Sequence, residues 1–457
     1  MIDRRRQGRS AAAVAYILVL LIGFAAVLWV NLPGHLTYDS VIALAQGRSH
    51  VRETWAPAAF AWALGLADRI RPGASVYVII SSAILFASLA ALPRLRPRTA
   101  WTAPIAAAAV LLTPQILVYQ GVVWRDVLFA NLTVAAFVLL ARAARRWSIG
   151  APWASLIGAA LCLGFAAAVR QNGVVLALAG IAALAWTARG FGGRTLVWGV
   201  AGLAAVALVT LAVVEIAEPP RTDRQVRPHA EILILQHYDV VGAVAHAPGL
   251  KLDRLAQDDA PAARTIERGA RTHYSASRID GLDADVELRK ALWRVPDAAM
   301  HGQWLDVVTD HPGAYLAHRF DVFRWLIAPP DLKQCLPFAV GVVGPPEMLK
   351  TLGLGPRTDA RDLNLHRYFG LAMKTPVYAH LFWLGLGSVI VGFLMLRRDP
   401  ADYVIAALVL GAAAFAASFF LISVACDYRY LYPLDLAVIT ALLYVAIDPS
   451  LQRSGRL

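Results

Sequence analysis

Ten apolar runs of 14 to 23 residues dominate this chain, and they restrict what it can fold into. A helix needs about 20 residues to cross the hydrocarbon core of a bilayer. Backbone groups in lipid must bond within the spanning structure, and no run alternates like a barrel strand. The sequence therefore predicts an all-α polytopic membrane protein with about ten transmembrane helices. The runs cover residues 11–30, 74–92, 101–118, 127–141, 153–169, 173–186, 196–217, 377–396, 403–425 and 431–447.

Composition and charge distribution agree with this class of protein. Of the 457 residues, 58% are hydrophobic and only 16% are charged, which is too apolar for a soluble enzyme of this length. The net charge is +12, yet residues 218–376 hold 20 basic and 20 acidic side chains. The other 23 basic and 11 acidic residues lie in the apolar parts and their short connections. That pattern is typical of topology determinants and argues against a nucleic-acid partner.

Basic residues in alternate connections predict the orientation. The short connections on the side of the termini hold 16 Lys and Arg, and those on the other side hold 7. The positive-inside rule therefore predicts a multi-pass protein of the inner (plasma) membrane with both termini in the cytoplasm. The first run has the length of a span and no clear cleavage site, so it predicts an uncleaved helix. The chain is predicted to have three parts. Residues 1–217 form a membrane module of about seven helices with a first outer loop at 32–73, and residues 218–376 form an extracytoplasmic, mainly helical insert. Residues 377–457 form a second membrane module of about three helices with a short cytoplasmic tail.

The outer segment contains one stretch with a helical pattern and apolar residues, "YLAHRFDVFRWLI" from Tyr315. This stretch is consistent with a helix at the membrane surface or in a domain core. Cys335 and Cys426 fall on the same predicted side, and the sequence leaves open whether they pair. No Cys/His cluster has the spacing of a metal site, so none is predicted, and a role for a divalent cation is left open.

Polar residues concentrate at the predicted outer turns. The stretch "NLPGHLTYDS" brings Asp39 directly behind Tyr38, and the inner turns by contrast carry arginines but few acids and no polar cluster within the membrane. Polar residues at spanning depth are costly in lipid and usually line a cavity. The outer set comprises Tyr38, Asp39, Glu53, Trp55, Arg125, Asp126, Arg170, Asn172, Tyr428, Arg429 and Tyr430.

This set suits transfer from a lipid-linked phosphate donor. A carboxylate at the membrane boundary can act as general base toward a hydroxyl acceptor. Arginines can stabilise a phosphate leaving group, and aromatic rings offer surfaces for a sugar and a lipid. Each residue also has a structural interpretation. Asp39 could cap the helix that follows it, Arg125 and Arg170 could anchor helix ends, and "DYRYLYP" could be an interfacial aromatic belt.

Five segments together resemble the polytopic bacterial glycosyltransferases of the GT-C class, in particular glycosyltransferase-39-like membrane proteins. The similarity covers about residues 11–210 and 375–447, with a "YDS…W-x-P" first loop and a "W-[KR]-D-x-x-F" turn. The segments are "PGHLTYDSVIALAQGR", "WAPAAFAWALGL", "GVVWRDVLFANL", "AVRQNGVV" and "DYRYLYPLDLAVI".

The resemblance implies a polyprenyl-phosphate-linked sugar as donor and an extracytoplasmic active site. By matching position, Asp39 is the catalytic acid of the first outer loop, and Asp126 matches a second active-site acid. Arg125, Arg170 and Arg429 are the donor-phosphate candidates. The chain departs from the family pattern in having "WAP" where many members have His-Pro-Pro, and in lacking an adjacent acidic pair at Asp39. Tyr38, Glu53, Trp55, Asn172, Tyr428 and Tyr430 are the expected substrate contacts.

The sequence hypothesis is therefore a membrane glycosyltransferase that moves a sugar to a glycan, lipid or protein acceptor of the cell envelope. A transporter or flippase of lipid-linked sugars is the alternative from another class. It predicts inverted repeats or broken helices with charges near mid-membrane, and the sequence shows neither clearly, since the polar residues gather at one face. An envelope polymer ligase or polymerase is a further alternative, and it would not need a first-loop carboxylate. The sequence does not define the sugar, the acceptor or a cofactor.

Overall fold

The computed structural model describes residues 2–51, 54, 56–150, 152–190, 194–219 and 229–451. Across these residues the chain is helical, and extended segments meet only in isolated bridges rather than strands. An all-α fold is thus confirmed for the described residues. The chain divides into two compact units. Unit 1 comprises Met1–Asp223, Phe338–Phe415 and Leu431–Leu457, and unit 2 comprises Arg224–Pro337 and Ala416–Tyr430.

The N-terminal part of unit 1 alternates long apolar helices with shorter ones. The helices α2 and α3 form a hairpin in which Gly47 and Gly65 face each other. A Cβ built on Gly47 would lie 2.1 Å from the Ala61 carbonyl oxygen, so only glycine permits this approach. The helices are α1 (Ile2–Asn31), α2 (Tyr38–Ser49), α3 (Ala58–Ile70), α4 (Ser75–Ala91), α5 (Thr102–Leu111), α6 (Pro114–Leu117), α7 (Arg125–Arg146), α8 (Trp153–Val169), α9 (Val174–Gly190) and α10 (Thr195–Ala217).

Unit 2 takes five helices from the chain between α10 and residue 337. Their apolar faces pack on one core. The helices α11 and α15 approach each other so closely that a Cβ at Gly242 would overlap the His318 ring. Inside this core, Asp239 accepts a hydrogen bond of 2.8 Å from the Trp304 indole and contacts the Arg319 guanidinium. The helices are α11 (Ala230–His246), α12 (Asp253–His273), α13 (Val286–Arg294), α14 (Asp297–Asp310) and α15 (Pro312–Ile327).

The chain returns to unit 1 at Phe338 and continues through α16 (Pro346–Thr351), α17 (Ala360–Ala372), α18 (His380–Arg397), α19 (Pro400–Ile422) and α20 (Tyr432–Ile447). The first loop pairs with this returning segment, because Leu36 donates to the Gly341 carbonyl and accepts from Val343, each at 2.9 Å. Gly341 has φ +84°, and a Cβ there would lie 2.2 Å from the Arg357 carbonyl oxygen. The sequence thus requires glycine where the first loop and the returning segment meet.

Eight helices in the described part of the chain are long and apolar enough to cross a membrane, or nine if a bent pair is one span. Of these, α7 and α20 are the most buried, whereas α10 is almost entirely exposed, as expected for a peripheral helix facing lipid. The helices fit the predicted polytopic membrane protein. The shorter apolar helix α8 coincides with the run at 153–169.

The run at 101–118 departs from the expected single straight span. It forms α5 and then a segment at Pro114–Gly121 that is bent by 70° against α5. Pro114 has no N–H to continue α5, but it is suited to the first position of α6. The α6 carbonyl of Gln115 accepts a 3.0 Å hydrogen bond from the Tyr432 hydroxyl of α20. The neighbouring helices therefore satisfy part of the interrupted backbone.

The polar residues of unit 1 that are described next lie at its two ends. The predicted outer end is formed by residues 31–40, 119–126 and 169–173. The predicted inner end is formed by residues 92–102, 145–147, 397–402 and 447–450. Backbone and side-chain hydrogen bonds join the segments of each end, for example Ala100 to Ile447 at 2.8 Å at the inner end.

Candidate active site

Two helices begin side by side at the predicted outer end. His35 and Val122 form a parallel bridge, in which His35 donates to Gly121 and accepts from Val123. Beyond the bridge, the Trp124 indole donates to the Thr37 hydroxyl at 3.1 Å. Thr37 and Trp124 are the residues that precede α2 and α7. The positive ends of two helix dipoles therefore adjoin at this point, and Asp39, Arg125 and Asp126 lie in the two first turns.

Asp39 is exposed, and it does not occupy the N-cap position of α2. Thr37 stands at that position, and the Ser40 hydroxyl accepts from the Thr37 N–H at 3.2 Å and donates to the Val123 carbonyl at 2.7 Å. The interpretation of Asp39 as a helix cap is therefore wrong. Asp39 instead lies in the first turn, next to the exposed Tyr38, where the helix dipole stabilises its negative charge.

Asp126 and Arg170 form a buried ion pair. Asp126 belongs to the first turn of α7, and Arg170 follows the last residue of α8; their carboxylate and guanidinium are in contact. The Arg170 Nε donates to Asn172 at 3.0 Å, and its guanidinium lies 5.5 Å from the centre of the Phe415 ring. Three predicted site residues from two outer turns thus meet, but in a closed, protein-lined setting.

The predicted residues of the last outer turn belong to unit 2. Arg429 donates to the Asp427 carboxylate at 3.0 Å and covers the Tyr430 ring at 5.6 Å, while Tyr428 is buried. A disulfide joins Cys335 to Cys426, which answers the question that the sequence left open. This turn is therefore fastened covalently to the segment that follows α15.

The site prediction divides into three groups. Tyr38, Asp39, Arg125, Asp126, Arg170 and Asn172 lie at one end of unit 1, and Tyr428, Arg429 and Tyr430 lie in unit 2. Glu53 and Trp55 lie outside the described residues. Among the residues that the structure describes, no group of three His, Cys, Asp or Glu side chains could hold a metal ion.

A buried histidine in the loop before Asp39, His35, was not among the predicted residues. His35 accepts from the Gly341 N–H at 3.0 Å through Nδ1, so its Nε2–H donates to the Asn31 Oδ1 at 2.9 Å. The Asn31 amide N–H groups donate to Val27 and Leu117, which orients this oxygen toward the histidine. Burial lowers the pKa of His35 to about 4, although the nearby Asp362 opposes this effect. His35 is therefore neutral and fixed in one tautomer.

Arg357 and Asp362 complete the support of the first loop. Arg357 donates to the Gly34 carbonyl at 3.0 Å and to Asp362 at 3.2 Å, and Asp362 lies 3.5 Å from the His35 ring. These residues are more than 300 positions from His35 in sequence, so no local pattern could reveal the contact. The one available signal was the His35 residue itself, directly before the "LTYDS" motif.

The predicted inner end holds a second cluster that sequence reasoning missed. Arg397 makes bonds of 2.6 and 2.8 Å to Asp402 and a bond of 2.6 Å to the Asp448 carbonyl. Around it, Arg96 and Asp448 pair at 3.0 Å, Arg145 and Asp399 pair at 2.8 Å, and Tyr444 donates to Asp402 at 2.8 Å. The inner turns therefore hold a buried polar cluster, in which Asp399, Asp402 and Asp448 pair with arginines that the charge count treats only as topology signals.

Comparisons of the chain with protein-family models, with curated proteins and with solved structures gave no match. The function proposed below therefore depends on the sequence motifs and on the geometry of the described residues.

Proposed function

We propose that this chain is a membrane glycosyltransferase of the GT-C type. It transfers a sugar from a polyprenyl-phosphate donor to a glycan, lipid or protein acceptor of the cell envelope, at the extracytoplasmic face of the inner membrane. The observation that carries the proposal is the position of Asp39. It is an exposed carboxylate in a helix start that is hydrogen-bonded to the start of α7, where Arg125 follows Trp124 directly.

In the proposed reaction, an acceptor hydroxyl attacks the anomeric carbon of the donor sugar. The new glycosidic C–O bond forms as the bond between the anomeric carbon and the phosphate oxygen breaks. The Asp39 carboxylate takes the hydroxyl proton, and polyprenyl phosphate leaves with the bonding electron pair. Arg125 and the adjoining helix N-termini stabilise the negative charge that develops on the leaving phosphate. Tyr38, exposed beside Asp39, offers a ring to the sugar.

Asp126 and Arg170 have a supporting role in this proposal. Both side chains are buried and engaged with each other, so Asp126 is a poor candidate for the base that an acceptor hydroxyl must reach. We assign Asp126 and Arg170 as positioning residues that join the start of α7 to the end of α8. Arg429 lies in unit 2, in the turn fastened by the Cys335–Cys426 disulfide, and its expected role as a donor-phosphate residue stays a prediction.

The disulfide also supports the proposed orientation. Disulfides persist in oxidising compartments and are rare in the cytosol. Cys335 belongs to the segment after α15, and Cys426 belongs to the turn between α19 and α20. Both fall in connections that the charge count predicts to be extracytoplasmic, so the disulfide supports that prediction.

The test is the variant Asp39→Asn in proteoliposomes supplied with a radiolabelled pool of polyprenyl-phosphate sugars and a membrane extract as acceptor. We expect transfer to fall by a factor of about 10² or more, because a general base contributes roughly that amount. Asp253→Asn is the matched control, since Asp253 is an exposed first-turn acid of α12 in unit 2. Wild-type transfer by a folded Asp39→Asn protein would exclude the base role and favour a polymer ligase or polymerase.

A transporter or flippase of lipid-linked sugars is the second candidate, and one observation favours it. The bent pair of α5 and Pro114–Gly121 is a broken span or a re-entrant loop, and broken spans are a feature of many transporters. A buried pair of His380 and Asp435, 2.9 Å apart within the membrane helices, adds an ionisable group of the kind found in transport pathways. Movement of labelled lipid-linked sugar across liposomes, without any covalent product, would establish this candidate in place of the transferase.

A further inference from the structure

Helix α15 has two different apolar faces. His318, Arg319, Val322 and Leu326 are buried in unit 2, so this face belongs to the core. Leu316 and Phe320, by contrast, are 50% and 62% exposed. Phe323 and Ile327 follow them at spacings of three and four residues, which continues one stripe along the helix. The stripe Leu316–Phe320–Phe323–Ile327 therefore lies on a side that the core of unit 2 does not use.

The position of α15 relative to α19 follows from two contacts within unit 2. Arg319 donates to the Ser423 carbonyl at 2.8 Å, and the Phe323 ring lies 5.8 Å from the Phe420 ring. Residue numbers rise along α15 as they fall along this part of α19, so the two segments run antiparallel. The C-terminal half of α15 is therefore at the level of the last turns of α19, which is long and apolar enough to cross a membrane.

The exposed apolar surface continues from one helix to the other. Leu421 and Ile422, at the end of α19, are 55% and 41% exposed, and Leu336, next to the disulfide-bonded Cys335, is 48% exposed. Asp321 and Arg324 lie beside the stripe, on the side of α15 away from the residues that are buried in the core. The exposed apolar residues of α15 thus lie beside the end of a helix that is long and apolar enough to cross a membrane.

We propose that the α15 stripe binds the acyl chains of the bilayer leaflet in which α19 ends. Unit 2 is then held to the membrane by this stripe as well as by the chain connections. This surface is independent of the proposed transfer reaction, and it assigns to α15 both of the roles that its sequence allowed.

The test uses the full chain in nanodiscs of phosphatidylcholine and phosphatidylglycerol, with Cys162→Ala and the native disulfide intact. A nitroxide is attached at Phe320→Cys, and its collisions with oxygen, which partitions into lipid, are compared with those of a water-soluble nickel complex. Leu316→Cys carries the same test if Phe320→Cys folds poorly. The controls are Leu203→Cys on the exposed lipid side of α10, Lys290→Cys on exposed α13, and Ala317→Cys on another exposed side of α15.

We expect the oxygen-to-nickel collision ratio at residues 320 and 316 to approach that at residue 203. It should exceed the ratio at residues 290 and 317 several-fold. A ratio equal to that at residue 290 would show an aqueous surface and overturn the proposal. Low collision rates with both reagents would show that a second copy or another protein covers the stripe, and they would overturn it as well.

Discussion

The two ends of unit 1 carry the same kinds of side chain in different settings. At the predicted inner end, Arg397 is fully buried and bonds Asp402 through two nitrogens. At the predicted outer end, Asp39 is exposed in the first turn of α2, and Arg125 is half-buried in the first turn of α7. The inner charges are enclosed by the fold, whereas part of the outer set faces solvent.

This difference separates charges that stabilise the fold from charges that can act on a substrate. A buried pair contributes little net stability when complete, but removing one partner leaves an uncompensated charge in the protein interior. An exposed acid can be neutralised at a smaller cost to the fold. Asp126 lies at the outer end, yet it is buried and paired with Arg170, as the acids of the inner cluster are paired with arginines. The side of the membrane alone therefore does not identify a catalytic acid.

The largest effect is expected for Arg397→Leu. The substitution leaves Asp402 and the Asp448 carbonyl without their main donor, and it should destabilise the protein by roughly 3–5 kcal/mol. The measurement is the unfolding midpoint in detergent, together with the yield of monodisperse protein. Arg398→Gln is the control, because Arg398 is the exposed neighbour and its loss should change the midpoint little. Equal midpoints for the two variants would contradict a closed inner cluster.

Asp126→Asn tests whether this acid belongs with the stabilising group. It leaves the buried Arg170 without its carboxylate, and we expect a loss of about 3 kcal/mol in unfolding free energy. The double variant Asp126→Asn/Arg170→Met should recover part of that loss, since it removes both charges. Asp39→Asn should lower the unfolding free energy less, by about 1 kcal/mol, since it removes a first-turn charge that the dipole of α2 stabilises. A stable but inactive Asp126→Asn protein would restore Asp126 as a catalytic candidate.

Much of the fold was predictable because lipid imposes a simple requirement on sequence. A spanning helix needs a continuous apolar run, and α8 and α10 match their runs within one residue. The break at Pro114 was not predicted, since hydropathy measures side chains and does not register a missing backbone N–H. Its signal was visible as the Thr113–Pro114 pair inside the run.

The candidate site was predictable only in part. The positions of four residues at the predicted outer turns identified them as candidates: Asp39, Arg125, Asp126 and Arg170. The sequence alone does not distinguish an exposed acid from one that is buried in an ion pair. Asp39 was assigned as a possible cap because Asp and Thr both suit that position, and Thr37 comes first along the chain. Arg96 and Asp448 are separated by 352 residues, so their contact depends on tertiary structure alone.

The pH dependence of stability offers a further comparison, because the buried His35 supports an exposed site. Its folded-state pKa of about 4 lies below the ordinary value of 6.5, so the unfolded chain binds more protons between these values. The contribution of the neutral His35 to the free energy of unfolding is fully present above pH 6.5. It is lost as the pH falls toward 4, which lowers that free energy by about 3 kcal/mol. The melting temperature of the wild type should fall in this window, and His35→Gln should remove that part of the slope. His366→Gln, at an exposed position of α17, should retain it.

The smallest effect is expected for Thr37→Val, which keeps the side-chain shape and removes the acceptor of the Trp124 indole bond. It also removes the 2.9 Å hydrogen bond between the Thr37 and Ser40 hydroxyls, so we expect a stability loss of about 2 kcal/mol, since each neutral hydrogen bond contributes roughly 1 kcal/mol. If the bonded helix starts position Asp39 beside Arg125, transfer should fall several-fold, which is more than the small loss of stability explains. Ser49→Ala, at the opposite end of α2, should change neither quantity. Unchanged transfer by a Thr37→Val protein would show that Asp39 acts without a fixed position relative to α7. The inner charges and Asp39 would then differ only in their exposure to solvent.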